Sequence, residues 1–80
     1  MKLEIITPDK KVFSGEVMLV RVPGSKGPFE ILNNHAPILS SLDPGTVRFI
    51  ETNGTERFFK IGGGMVENKA NKIIILAEPF

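Results

Sequence analysis

The stretch Thr46-Val47-Arg48-Phe49-Ile50-Glu51-Thr52-Asn53-Gly54-Thr55-Glu56-Arg57-Phe58-Phe59-Lys60-Ile61 sets two runs rich in β-branched and aromatic residues on either side of one Asn-Gly pair. Such side chains fit a pleated, half-buried surface. Asn and Gly are the residues that best tolerate the positive φ angles a type I′ turn needs at both central positions. The stretch therefore reads as a β-hairpin, with strands Thr46 to Glu51 and Thr55 to Ile61 and a type I′ turn at Asn53-Gly54. Phe58 and Phe59 are adjacent and so point to opposite faces, which leaves one of them for solvent or a partner.

The same period of two runs outward from the hairpin. Leu3, Ile5 and Thr7 share one face of a first strand, and Lys2, Glu4 and Ile6 the other. Thr7-Pro8-Asp9-Lys10 is a turn, because proline presets its own backbone angle and Asp can bond back to the chain. Lys11 to Val22 reads as one long strand with a bulge or bend at Gly15, Met18, Val20 and Val22 on one face, and Val17, Leu19 and Arg21 on the other. Pro23 to Gly27 is a loop, Phe29 and Ile31 begin a short strand, and Ile38 to Leu42 is a further apolar piece, extended or a single turn. Asp43-Pro44-Gly45 signals a turn. Gly64 to Asn68 and Asn71 to Ala77 form a last hairpin around Lys69-Ala70. Ile73-Ile74-Ile75-Leu76 lacks alternation, which predicts burial on both sides. Apolar residues nowhere recur at helical spacing over ten or more positions. Many short strands with frequent turns read as an all-β sandwich or barrel.

Eighty residues make a single domain, 1–80, with a small core. A hydrophobic content of 41% is globular rather than disordered, and a net charge of +1 with mixed signs offers no basic stripe for nucleic acid. Without cysteine there is no disulfide, thiol catalysis or cysteine-ligated metal. The longest apolar run, Ile73 to Ala77, is too short to span a bilayer.

Between the hairpins, Glu30-Ile31-Leu32-Asn33-Asn34-His35-Ala36-Pro37-Ile38-Leu39 breaks the pattern. Two asparagines, the only histidine and an Ala-Pro interrupt an apolar run, so the chain turns sharply and presents His35 in irregular backbone. Ahead of it lies Pro23-Gly24-Ser25-Lys26-Gly27-Pro28-Phe29, and after it Leu42-Asp43-Pro44-Gly45-Thr46-Val47-Arg48. With Leu3-Glu4-Ile5-Ile6-Thr7-Pro8, Val12-Phe13-Ser14-Gly15-Glu16-Val17, Gly62-Gly63-Gly64-Met65-Val66-Glu67 and Asn71-Lys72-Ile73, this ordered series resembles the epsilon subunit of F-type ATP synthase along nearly the whole chain.

The resemblance implies a flattened β-sandwich of short, mostly antiparallel strands. It implies a non-catalytic central-stalk role, docking to the gamma subunit and the c-ring and coupling proton or sodium flow to ATP synthesis. Alpha and beta subunits would be partners through the complex only. The place implied is the cytoplasmic side of the bacterial inner membrane, reached through that complex. Carried over by position, the interface residues are Ser25, Lys26, Gly27, Pro28, Phe29, Glu30 and Ile31 in the loop and His35, Ala36 and Pro37 in the turn. Two departures stand out. Family members commonly have a Gly-acidic-apolar-Gly run where this chain reads Gly27-Pro28-Phe29-Glu30, so the acidic group is displaced. They often have Pro or Gly at the position of Asn33. Many continue into a two-helix hairpin that binds ATP or inhibits hydrolysis; the expectation is that these 80 residues alone bind no ATP.

Other chemistry has weaker support. His35 with Asp43, Ser40 and Ser41 supplies the residue types of a hydrolase triad without any of its local signatures. The simpler reading has His35 bonding backbone carbonyls in its own turn. One histidine and no cysteine give no metal-ligand spacing. Gly62-Gly63-Gly64 lacks the lysine and following helix of a phosphate loop, so it reads as a bulge where chain segments approach closely. No cofactor is expected. Two rivals to the stalk reading remain: a free-standing β-sandwich adaptor that binds another protein, and a lipoyl- or biotinyl-type carrier modified at Lys69, which lacks the two quasi-symmetric halves of such carriers.

Overall fold

The Thr46–Ile61 hairpin is present in the computed structural model, which describes residues 1–80. All regular structure is β: β1 (Lys2–Ile6), β2 (Lys11–Val22), β3 (Phe29–Leu32), β4 (Ile38–Leu42), β5 (Gly45–Glu51), β6 (Glu56–Ile61), β7 (Gly64–Lys69) and β8 (Lys72–Ala77). They form one curled eight-stranded sheet in the order β4-β7-β8-β1-β2-β5-β6, with β3 pairing β2. The curl folds the sheet into two layers that share β2. Its first half pairs with β1, and its second half pairs with β5 and β3. Every pairing is antiparallel except β1 with β8, whose ladder runs parallel from Lys2↔Lys72 to Ile6↔Leu76.

Both layers turn their apolar alternation inward. Leu3, Ile5, Val66, Ile73 and Ile75 from one layer meet Val20, Val22, Ile31, Val47 and Ile61 from the other, all fully buried. Phe13 and Phe49 pack ring to ring at 4.5 Å near the open side. Burying such side chains is the main favourable term for a domain this small.

Two details of β2 differ from the sequence reading. Gly15 is no bulge; it lies opposite Leu3 in regular register. A Cβ there would come 3.1 Å from the Phe13 ring, so this glycine makes room for an aromatic. Register shifts fall instead at Val12, because Ile5 pairs with Phe13 while Ile6 pairs with Lys11, and at Met18, because Val17 pairs with Glu51 while Leu19 pairs with Ile50. At Met18 one extra residue resets the inward phase. Val17 is therefore buried together with Val20 and Val22, and Met18 is 46% exposed.

The turn chemistry is exchanged between the two hairpins. At Asn53-Gly54 only Gly54 has positive φ, 90°. The Gly54 N–H donates to Glu51 O at 2.8 Å and the Glu51 N–H to Thr55 O at 2.9 Å. This is a three-residue loop ending on a left-handed glycine, not a type I′ turn. Asn53 keeps negative φ because its Oδ1 accepts the Thr55 N–H at 2.9 Å. The turn with two positive φ angles lies at Ala70 (51°) and Asn71 (61°), between the paired Lys69 and Lys72. It is one residue later than the Lys69-Ala70 expected from sequence.

The glycine triplet marks a close approach, made by the chain's own last residues. Gly62 N–H donates to Glu78 O at 2.8 Å and Glu78 N–H to Gly63 O at 2.9 Å. A Cβ at Gly62 would collide with Pro79 O, and one at Gly64 with Leu76 O.

Candidate functional site

The turn that breaks the strand pattern is built from asparagines. His35 N–H donates to Leu32 O at 3.1 Å, closing the turn, and Asn34 sits in the left-handed region at φ 62°. Asn is the side-chain-bearing residue best suited to that conformation. Asn71, at the tip of the β7–β8 hairpin, grips the turn from outside. Its Oδ1 accepts the Asn34 N–H at 2.8 Å and its Nδ2 donates to Asn33 Oδ1 at 2.9 Å. Asn68 on β7 reaches from inside and donates Nδ2–H to both His35 O and Ala36 O at 3.2 Å. His35 Nδ1 lies 2.8 Å from Ala36 O, so Nδ1 carries the proton and donates it. His35, Ala36 and Pro37 are exposed.

The second candidate segment is a tight loop. Gly27 N–H donates to Gly24 O at 2.9 Å. A Cβ at Gly24 would press on Gly27 O at 2.6 Å and on the Phe29 ring at 2.7 Å. Ser25 N–H donates to Ser41 O at 3.0 Å, and the Ser41 hydroxyl to Ser25 Oγ at 3.0 Å. Ser25, Lys26, Gly27 and Pro28 are exposed, whereas Phe29 is half-buried against the core. Glu30, the displaced acid, stands between Arg21 and Arg48 at 3.8 and 3.9 Å. Ile31 is fully buried, so it has no side-chain surface for a partner.

The structure does not bring these two segments together. Phe29 to Ile31 belong to β3, which puts the remaining loop, Ser25 to Pro28, at its far end from the turn, and β4 runs back between them: Ser41, beside Ser25, pairs with Met65, while Ile38, beside the turn, pairs with Asn68. Three ladder positions at about 3.3 Å each put roughly 10 Å between the two ends.

A further surface escaped the sequence reading. Ile73–Leu76 is buried on one side only: Ile73 and Ile75 face the core, Ile74 is half-buried and Leu76 is 54% exposed. On the outer face Met65 pairs with Leu76, and Leu76 with Ile6. Leu39 and Met65 are 69% and 44% exposed, so Ile6, Leu39, Met65, Ile74 and Leu76 give the outer face of β1, β4, β7 and β8 an apolar character, interrupted by Glu67 between Leu39 and Ile74. Missing alternation was the signal for a second cover, and within residues 1–80 that outer side stays exposed. Charged groups lie at the edge of this face: Glu4 takes Lys11 at 2.9 Å and Lys72 at 3.7 Å. The hydrogen bond from Lys11 holds the Glu4 carboxyl below the usual carboxylate range. The Lys11, Lys72 and Lys2 charges act in the same sense, and desolvation opposes them.

His35, Ser40, Ser41 and Asp43 make no triad. His35 bonds its own turn, Ser40 Oγ donates to Ser41 O at 3.0 Å, and the Ser41 hydroxyl is engaged with Ser25. No three His, Asp or Glu side chains converge as a metal site. Lys69 stands on β7 opposite Lys72 rather than at the hairpin tip, which is Ala70-Asn71. Phe58 is the aromatic of its pair turned outward, 64% exposed.

The chain matches the family model for the ATP synthase delta/epsilon chain, β-sandwich domain, over residues 1–80. It is 47% identical to the ATP synthase epsilon chain of Chlorobium limicola over 77 residues, covering 96% of this chain and 88% of that one. The epsilon chain of Maridesulfovibrio salexigens is 50% identical over 76 residues, which is 95% of this chain and 53% of the relative. Among solved structures, a chain of the Euglena gracilis mitochondrial ATP synthase (OSCP/F1/c-ring) superposes with a TM-score of 0.86 at 21% identity, covering 94% of this chain and 48% of that one. One from the Tetrahymena thermophila enzyme (central stalk/c-ring) gives 0.78 at 22%, covering 98% and 63%. At that identity the likeness speaks for the fold.

Proposed function

This chain belongs to the ATP synthase delta/epsilon family through its β-sandwich domain, and from that premise we propose that it is a non-catalytic central-stalk subunit docking to the gamma subunit and the c-ring. It rotates with that assembly and helps couple proton or sodium flow to ATP synthesis, on the cytoplasmic side of a bacterial inner membrane. Alpha and beta subunits are neighbours through the complex, and the membrane is met only through it. The observation that carries the reading is the uncovered outer face of Leu39, Met65, Ile74 and Leu76, with Glu67 set between Leu39 and Ile74 and with Glu4, Lys11 and Lys72 at its edge. Exposed apolar side chains gathered among charged ones mark protein–protein interaction sites.

The Lys26 loop and the His35 turn, at opposite ends of β3, suit a domain held between two neighbours. One end meets the stalk and the other the ring. A closed two-layer core transmits force between them without an internal hinge, because close-packed interiors resist deformation. The absence of native cysteine makes the test clean. Single cysteines at positions 26 and 35 of the subunit in the assembled enzyme are expected to cross-link to different subunits. Cross-links from both to the same subunit, or from neither, overturn the two-ended docking.

A further inference from the structure

Asn68 stands where the alternation of β7 calls for an apolar side chain. Val66 and Asn68 both face inward, and Asn68 is only 2% exposed. Its orientation is forced. The His35 and Ala36 carbonyls can only accept, so Nδ2 must face them. That leaves Oδ1 buried without a partner. Leaving a buried acceptor unsatisfied is unfavourable, and an apolar residue of similar shape would avoid it. The one thing Asn68 supplies that a leucine cannot is a pair of donors to two successive carbonyls of the exposed turn. Asn71, two residues past the end of β7, holds the preceding two residues of the same turn through both ends of its amide.

We infer that the β7–β8 hairpin is the positioning element of the His35 turn, with Asn68 and Asn71 as positioning residues that fix residues 33–36 in their docking shape before a partner arrives. The turn has few alternatives for such support. Pro37 brings no N–H, and beyond His35's own ring bond the Asn68 amide is what meets those carbonyls. A preformed turn avoids ordering its backbone at the moment of binding. The inference rests on the reading that the His35 turn is a docking surface.

Asn68→Leu keeps shape and removes the donors. Asn71→Gly, outside the core and free to keep the positive φ of that position, serves as a second variant that removes the amide without straining the turn. Amide hydrogen exchange is measured on the isolated chain, and binding on a detergent-solubilised gamma–c-ring subcomplex. In both variants, protection of the Asn34 and His35 amides is expected to fall at least tenfold. Val20 and Ile75 should keep theirs, and binding should weaken at least fivefold. Unchanged protection at Asn34 and His35 overturns the positioning role. Protection lost uniformly across the sheet also overturns it, because the asparagines then hold the fold rather than the turn. Protection lost at the turn with binding unchanged overturns the docking reading beneath the inference instead.

Discussion

Replacing Leu76 and Leu39 by serine separates docking from folding. Both lie on the outer face, 54% and 69% exposed, so their side chains contribute little to the isolated domain. Surface changes of this kind usually alter stability by less than about 0.5 kcal/mol. Fully burying a leucine is worth about 1.5–3 kcal/mol. Scaling by the surface still uncovered, a partner that seals this face gains about 0.8–1.6 kcal/mol from Leu76 and about 1.0–2.1 kcal/mol from Leu39. At about 1.4 kcal/mol per tenfold, Leu76→Ser should weaken binding by about 4- to 15-fold. The double variant should weaken it by about 20-fold to a few hundredfold. The assay is titration of the variants against the gamma–c-ring subcomplex, paired with thermal unfolding of each isolated chain. Ile75→Ala, one residue away but fully buried, is the control. It should cost about 2–5 kcal/mol of stability. If the double serine variant binds as tightly as the parent, the outer face is not the docking surface and the reasoning fails.

Three further outcomes follow from the geometry. His35→Glu puts a carboxylate on an exposed turn; it should leave the melting temperature of the isolated chain within about 4 °C, while weakening binding in the same titration, and unfolding instead would make His35 a structural residue. Ala70→Gly should raise stability by about 0.5–1 kcal/mol in denaturant melts, because a left-handed Ala costs about 1–2 kcal/mol and glycine returns part of that through its own flexibility; a loss would contradict the type I′ assignment. Glu4 has its carboxyl held below the ordinary value, so its pairing with Lys11 stabilises the fold above about pH 4.3 and is lost as pH falls through the lower folded-state value. Glu4→Gln should therefore narrow the stability gap between pH 7 and pH 3, and an unchanged gap would remove Glu4 from the acid response.

The strands were legible because side-chain period is local: seven appear where alternation and turn residues placed them, and Ile38–Leu42, which reads as extended or a single turn, is the eighth. What failed depended on partners distant in sequence. The Asn53-Gly54 pair fits two loop geometries, and the choice was made by a bond from Asn53 to Thr55. The type I′ turn fell on Ala70-Asn71, whose composition is a weaker signal, because the register of β7 on β8 and the bonds from Asn71 to residues 33 and 34 fix it there. The phase of β2 slipped at Met18 because a bulge belongs to a pair of strands, not to one. The missing alternation of Ile73–Leu76 predicts burial on both sides, whereas within residues 1–80 the outer side of Leu76 is exposed and Ile74 only half-buried. The Ser25–Ile31 segment and the His35 turn are close in sequence, yet Phe29 to Ile31 are already in β3, which leaves Ser25 to Pro28 as the loop at its far end from the turn. Asn68 was passed over as a strand residue, although a polar side chain on an inward position was a signal.

The parallel pairing of β1 with β8 decides how the domain fails under load. Pulled apart along its length, a ladder whose two strands point the same way is loaded in shear, so its bonds must give together. A hairpin pulled at its open end unzips one rung at a time. The five paired positions from Lys2↔Lys72 to Ile6↔Leu76 lie in the first case when tension runs between the leading and trailing strands. Stretching a single molecule from those two strands should give one abrupt rupture, at higher force than the same molecule held across the β5–β6 hairpin. A body fastened this way is brittle and stiff along one axis and soft along another, which makes the attachment points, as much as the core, what determines whether an applied force is carried or lost.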